Sequence, residues 1–142
     1  MASRKVTTLP VVEKTVCQTN ADQKRSPIDR IIIHTEVGTQ VAADHRFNDC
    51  ASKVSAHYGV GLDGSIWHWV DEDWVAYHAG DYPMNQRSIG IEHEDNGLYN
   101  DPRPDALYTS SSQLVADICK FYSIPCDRQH IIKHSEVPIS GT

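Results

Sequence analysis

The sequence predicts a single α/β domain in which a central mixed β-sheet is flanked by helices, and three observations carry that expectation. Residues 28–34 run into Ile31-Ile32-Ile33-His34, an apolar stretch short enough for a strand and continuous enough to be covered on both faces. Asp63-Gly64 separates two alternating runs, the mark of a tight hairpin whose turn needs positive φ. Residues 40–53 and 110–122 space their apolar side chains three and four apart, as amphipathic helices do. A chain of 142 residues has room for one core.

Residues 1–27 mix polar, charged and Thr/Val positions without a period, and read as an N-terminal arm or short edge strand laid over a domain spanning 28–142. His34 closes the first strand where the sheet gives way to a loop, a place that functional residues favour. Thr39 is placed to N-cap the first helix, whose buried face would be Ala43, Phe47, Cys50, Ala51 and Val54, with His45 in solvent. In the hairpin, His57 and Tyr58 point to opposite faces, while Trp67 and Trp69 share one and leave His68 at the surface. Residues 71–87 read as a long connection bearing Trp74, Tyr77, His78 and Asn85, and loops of that length are more often functional than idle.

Ser88-Ile89-Gly90-Ile91-Glu92 reads as a second strand. Alternation gives Ile89, Ile91 and His93 one face and Gly90, Glu92 and Glu94 the other. Gly90 leaves space beside Glu92 for another group to approach, and a carboxylate on a rigid strand suits a catalytic base. Residues 95–108 have a loop composition. Ser110 and Gln113 then have the spacing of a capping box, opening a helix with the apolar stripe Leu114, Val115, Ile118, Cys119 and Tyr122. Residues 129–134 read as extended. Across that length His130 and His134 stand roughly 13 Å apart, too far to share one ion with bonds of ~2 Å. His134, at a loop edge like His34, is the better ligand candidate.

The net charge of −6 disfavours nucleic acid and anionic membrane as partners, since both demand basic patches. No run approaches the ~20 apolar residues of a membrane span, and residues 1–10 lack the apolar segment of a Sec signal, so synthesis in the cytoplasm without that export route is expected. The four cysteines form no CxxC pair, which argues against a structural zinc knuckle. Their sparse spacing reads as free thiols; a Cys119–Cys126 bridge stays open, as does pairing of Cys17 with Cys50. Eight histidines are many for this length and favour metal or proton chemistry.

His34, His134 and Glu92 each lie where an apolar segment meets a loop. A catalytic zinc needs about three protein ligands and an open position for water. Two histidines supply neutral nitrogen donors, and a nearby unligated carboxylate can take the proton from metal-bound water. In this order the motifs Ile31-Ile32-Ile33-His34-Thr35, Val54-Ser55-Ala56-His57-Tyr58, Asp63-Gly64-Ser65-Ile66, Ala76-Tyr77-His78-Ala79-Gly80, Asn85 with Ser88-Ile89-Gly90-Ile91-Glu92, and Lys133-His134-Ser135-Glu136 resemble the zinc-dependent N-acetylmuramoyl-L-alanine amidases. That family includes phage lysins, muropeptide-recycling amidases and peptidoglycan recognition proteins.

The resemblance implies a Zn2+ held by His34 and His134, with Glu92 as the catalytic carboxylate and His78 and Asn85 in the substrate groove. It implies a third zinc ligand, an Asp or Cys before a Pro-Gly, expected beyond Thr142. Some members place a tyrosine before the histidine matching His57; Ala56 stands there, so the sequence resembles the subgroup that relies on the glutamate. The implied activity is cleavage of the amide between N-acetylmuramic acid and L-alanine in bacterial peptidoglycan, by a monomeric phage endolysin catalytic domain released through a holin-type route. A non-catalytic peptidoglycan-binding module and a cytosolic muropeptide-recycling amidase are the alternatives.

Overall fold

The computed structural model describes residues 5–36, 38–95 and 102–139. Strands β1 (Val12–Glu13), β3 (Arg30–Thr35), β4 (Tyr58–Val60), β5 (Ile66–His68), β7 (Ser88–His93) and β8 (Ile131–Lys133) form one mixed sheet in the order β1-β5-β4-β7-β3-β8. β4, β7, β3 and β8 run parallel, whereas the β4–β5 hairpin is antiparallel and turns at Gly64, whose φ is +84°. Two further short strands, β2 (Ala21–Asp22) and β6 (Val75–Ala76), pair as a separate ribbon.

One face of the sheet is closed by helix α3 (Asp105–Tyr122). Its Leu107, Leu114, Ile118 and Cys119 bury against Ile31, Ile89, Ile91, Tyr58 and Val60. The other face carries helices α1 (Gln40–Asn48) and α2 (Tyr82–Arg87). There Phe47 packs edge-on to Trp69 beside Ala56 and Val70, and a smaller cluster joins Ile32, Ala79, Met84 and Ile132. Three consecutive isoleucines thus serve both faces, with Ile31 and Ile32 fully buried on opposite sides.

Several sequence expectations are corrected here. α1 is capped by Thr39, whose Oγ1 accepts from Ala42 N at 3.1 Å, but it ends at Asn48 rather than continuing to 53. Asn20 of the arm stops it, donating to the carbonyls of Phe47 and Asp49 at 2.9 and 3.0 Å. Cys50 therefore leaves the predicted buried face and bonds to Cys17, so these two cysteines form a disulfide rather than free thiols, while Cys119 and Cys126 stay free. Residues 71–87 are not one long loop: Asp81 caps α2 by accepting from Met84 N at 3.1 Å. α3 begins at Asp105, so Ser110 and Gln113 lie inside the helix and form no capping box.

His68 is buried, not at the surface. β1 lies alongside β5 with Glu13 opposite His68, and the imidazole Nδ1 meets Glu13 Oε2 at 2.9 Å.

The Cys17–Cys50 bridge closes a loop across 33 positions, which restricts the unfolded chain strongly. Cys17→Ser is expected to lower stability by about 3–4 kcal/mol, as loss of a cross-link closing a loop of that size does. Denaturant unfolding with and without reductant checks this; an unchanged midpoint would show that the bridge contributes nothing.

Candidate active site

The parallel pairing of β3 with β7 sets His34 opposite Glu92, two pairs beyond Ile32 opposite Gly90. Residues of one register pair project to the same face of a sheet, so His34 and Glu92 leave the core together at the carboxyl ends of two parallel strands, where open α/β sheets bind ligands. β8 runs beside β3 and delivers His134 at the start of a short 3-10 turn, His134–Glu136. The three side chains line one cleft of about 350 Å³, shared with Glu36, Arg46, Phe47, Tyr77 and His78.

The two candidate ligands face one another directly. His34 Nδ1 lies 2.9 Å from His134 Nδ1, with the rings edge-on at 82°. His34 is buried, and burial, with His134 and His93 adding repulsion, lowers its pKa to about 3. The ring is therefore neutral at pH 7, the form that donates a lone pair to a metal. His134 is solvent-exposed. His130 is turned away, its Nδ1 2.6 Å from Asp127 Oδ1.

Glu92 remains partly accessible, yet burial raises its pKa to about 7, with Arg46 across the cleft pulling the other way. A base poised near neutrality both accepts and returns a proton readily. Glu36 was not singled out from sequence, although period-two alternation places it on the face of His34. It is buried in the cleft wall with neither carboxylate oxygen hydrogen-bonded, and burial, then Glu92, Glu94 and Asp95, push its pKa up to about 9.

His78 and Asn85, the residues expected in the substrate groove, lie behind this surface. His78 reaches the cleft wall but is buried, its Nδ1 2.9 Å from His34 Nε2. Asn85 Oδ1 accepts from His78 N at 3.1 Å and Ala79 N at 2.8 Å, so this side chain brackets the backbone that carries His78. The space that Gly90 leaves is filled by His78 itself: a Cβ there would sit 2.5 Å from His78 Cγ. Below the sheet, His93 bonds through Nδ1 to the His34 carbonyl at 3.0 Å and through Nε2 to Ser111 of α3 at 2.7 Å, fixing the strand end from the core side.

The family model for N-acetylmuramoyl-L-alanine amidase matches residues 24–142. The chain belongs to this family. The N-acetylmuramoyl-L-alanine amidase A of Achromobacter lyticus is 31% identical over 97 residues, covering 68% of this chain and 54% of that protein, so the chain spans about half the length of this curated relative. Among solved structures, an endolysin amidase from Clostridium intestinale superposes with a TM-score of 0.71 at 18% identity, over 94% of this chain and 86% of that one. The E. coli amidase AmiD, solved with anhydro-N-acetylmuramic acid-L-Ala-D-γ-Glu-L-Lys as substrate, gives 0.68 at 26% identity, over 79% and 50%. The fold of this amidase-family domain is thus that of its relatives.

A larger hollow of about 600 Å³ lies at the opposite edge, between the arm and β5. Its imidazole, His68, is engaged by Glu13, so the candidate chemistry belongs to the smaller cleft.

Two outcomes follow from this packing. Gly90→Ala is expected to displace the His78 ring and destabilise the fold by about 1–3 kcal/mol, as overpacking does; thermal unfolding at pH 7 reads it, and an unshifted midpoint would mean that the ring moves freely. For Glu92 the folded pKa, about 7, lies above the ordinary 4.5. The folded state therefore holds an extra proton between those values, and the penalty for burying the anion grows as pH rises from 4.5 and is complete above about 7. Glu92→Gln should be more stable than the parent at pH 8 and no different at pH 4. A variant less stable at pH 8 would refute the buried-anion account.

Proposed function

We propose that this domain hydrolyses the amide joining the lactyl group of N-acetylmuramic acid to the L-alanine of the stem peptide, with His34 and His134 holding zinc and Glu92 moving the proton. One observation carries the reading: two imidazoles with facing Nδ1 atoms and a carboxyl raised to about 7 share one cleft. The donor set fits zinc, because His34 is neutral and its Nδ1 faces His134 at the exposed edge of the cleft. No cluster of three ligating side chains occurs among the described residues, and His34 and His134 are the two ligands this reading assigns.

Zinc, when bound, supplies a Lewis acid that polarises the scissile carbonyl and acidifies water. Glu92, as the carboxylate, takes a proton from the attacking water and returns it to the leaving nitrogen, which departs as the amine of L-alanine. Water adds to the carbonyl carbon, the C–N bond breaks, and the lactyl carboxylate is left on the sugar. His34 stays neutral throughout because burial disfavours its cation. Phe47 and Tyr77 give the cleft apolar walls for the sugar and peptide on either side of the bond.

The E. coli relative was solved with a muropeptide that contains this type of bond, and polymeric peptidoglycan or its fragments are the substrate class proposed here. The Cys17–Cys50 disulfide favours a lysin acting outside the cytoplasm over a cytosolic recycling amidase, since disulfides persist in oxidising surroundings. No described helix is long and apolar enough to cross a membrane.

Glu92→Gln tests the assignment. It should retain the zinc content of the parent while release of stem peptide from purified wall falls about 10²–10⁴-fold, the range for losing a general base. His34→Ala should instead lose zinc and activity together. A fully active Glu92→Gln variant would remove Glu92 from the chemistry.

A further inference from the structure

Behind the cleft, a line of hydrogen bonds runs from helix α2 to the candidate metal-binding edge. Ser88 Oγ donates to the Met84 carbonyl at 2.7 Å. A hydroxyl has one proton, so the 3.2 Å contact between Ser88 Oγ and His78 Nε2 is filled by the His78 N–H. With its proton on Nε2, a neutral imidazole carries a lone pair on Nδ1. That lone pair meets His34 Nε2 at 2.9 Å, so the proton between the rings belongs to His34. His34 Nδ1 is left bare, and it is the atom facing His134. In the opposite His34 tautomer, two lone pairs would confront each other inside the protein.

We propose that Ser88 and His78 are positioning residues that hold His34 in its Nε2–H tautomer, so that Nδ1 presents its lone pair before any metal arrives. The surrounding chain is built to keep this line in place. Gly90 makes room for the His78 ring. Asn85 Oδ1 holds the backbone of His78 and Ala79, and Arg25 of the arm donates to the carbonyls of Asn85 at 2.8 Å and Ser88 at 2.9 Å. Ser88, His78 and His34 are all buried, so water does not exchange their protons freely. His134 differs. Opposite a bare His34 Nδ1 it would donate Nδ1–H in the metal-free protein and, being exposed, would be free to change tautomer through solvent where zinc bound between the rings. One ligand is preset and the other adapts.

This inference rests on His34 as a zinc ligand, and the experiment separates the two ideas. Long-range 1H–15N spectra of the zinc-free chain should show His34 protonated at Nε2 and unprotonated at Nδ1. Zinc affinity, measured by competition with a chromogenic chelator, should fall about 10- to 100-fold in His78→Leu, the usual cost of losing a partner behind a metal-bound histidine. His78→Asn, whose side-chain oxygen can replace Nδ1 as acceptor, should recover most of it, and Ser88→Ala should fall between. A zinc-free His34 protonated at Nδ1 overturns the relay, as does a His78→Leu variant that binds zinc like the parent. His34→Ala with unchanged zinc affinity overturns the zinc assignment as well. The spectrum of the parent chain decides the tautomer even where a variant fails to fold.

Discussion

Six registered pairs run between β3 and β7, from Arg30 opposite Ser88 to Thr35 opposite His93, and the chemistry of the molecule depends on that alignment. A slip of one residue would move every side chain of β7 to the other face. Glu92 and Gly90 would then enter the apolar layer under α3, and Ile89 and Ile91 would stand in the cleft. The isoleucines prevent the slip: Ile31, Ile89 and Ile91 lose all solvent contact against the helix, and exposing even one would cost roughly 1.5–3 kcal/mol. Hydrophobic burial on one face thus fixes the position of polar groups on the other.

The same burial sets the protonation states. Protein around His34 lowers its pKa to about 3 and keeps the ring neutral, while protein around Glu92 raises its pKa to about 7 and leaves the carboxyl shared between acid and base forms near neutrality. Opposite shifts from one physical cause leave a neutral imidazole and a carboxyl that titrates near neutrality side by side. Glu36 shows how far the effect goes when acidic neighbours join it, its carboxyl being raised to about 9.

The N-terminal arm is part of this machinery rather than a cover. Arg25, its pKa lowered to about 10 by burial, donates to backbone carbonyls at the end of α2 and the start of β7. Asn20 ends α1, and Cys17 ties the following turn through Cys50. These contacts reach positions 27–63 residues away along the chain, so they hold α1, α2 and β7 in one frame around the cleft.

Sequence by itself determined the local elements and the faces they present. The isoleucine run, the Asp63-Gly64 turn, the Thr39 cap and the alternation through Ser88-Ile89-Gly90-Ile91-Glu92 are short-range signals, since each depends on neighbours within a few residues. The motif resemblance also singled out His34, His134, Glu92, His78 and Asn85. What only the tertiary structure decided is what meets what. That Gly90 makes space for His78, that Asn85 braces a backbone instead of lining the cleft, that His68 is buried under Glu13, and that Cys50 leaves its helix to reach Cys17 all depend on segments distant in the chain. Burial and hydrogen-bond partnership are properties of the assembled layers, and no local period encodes them.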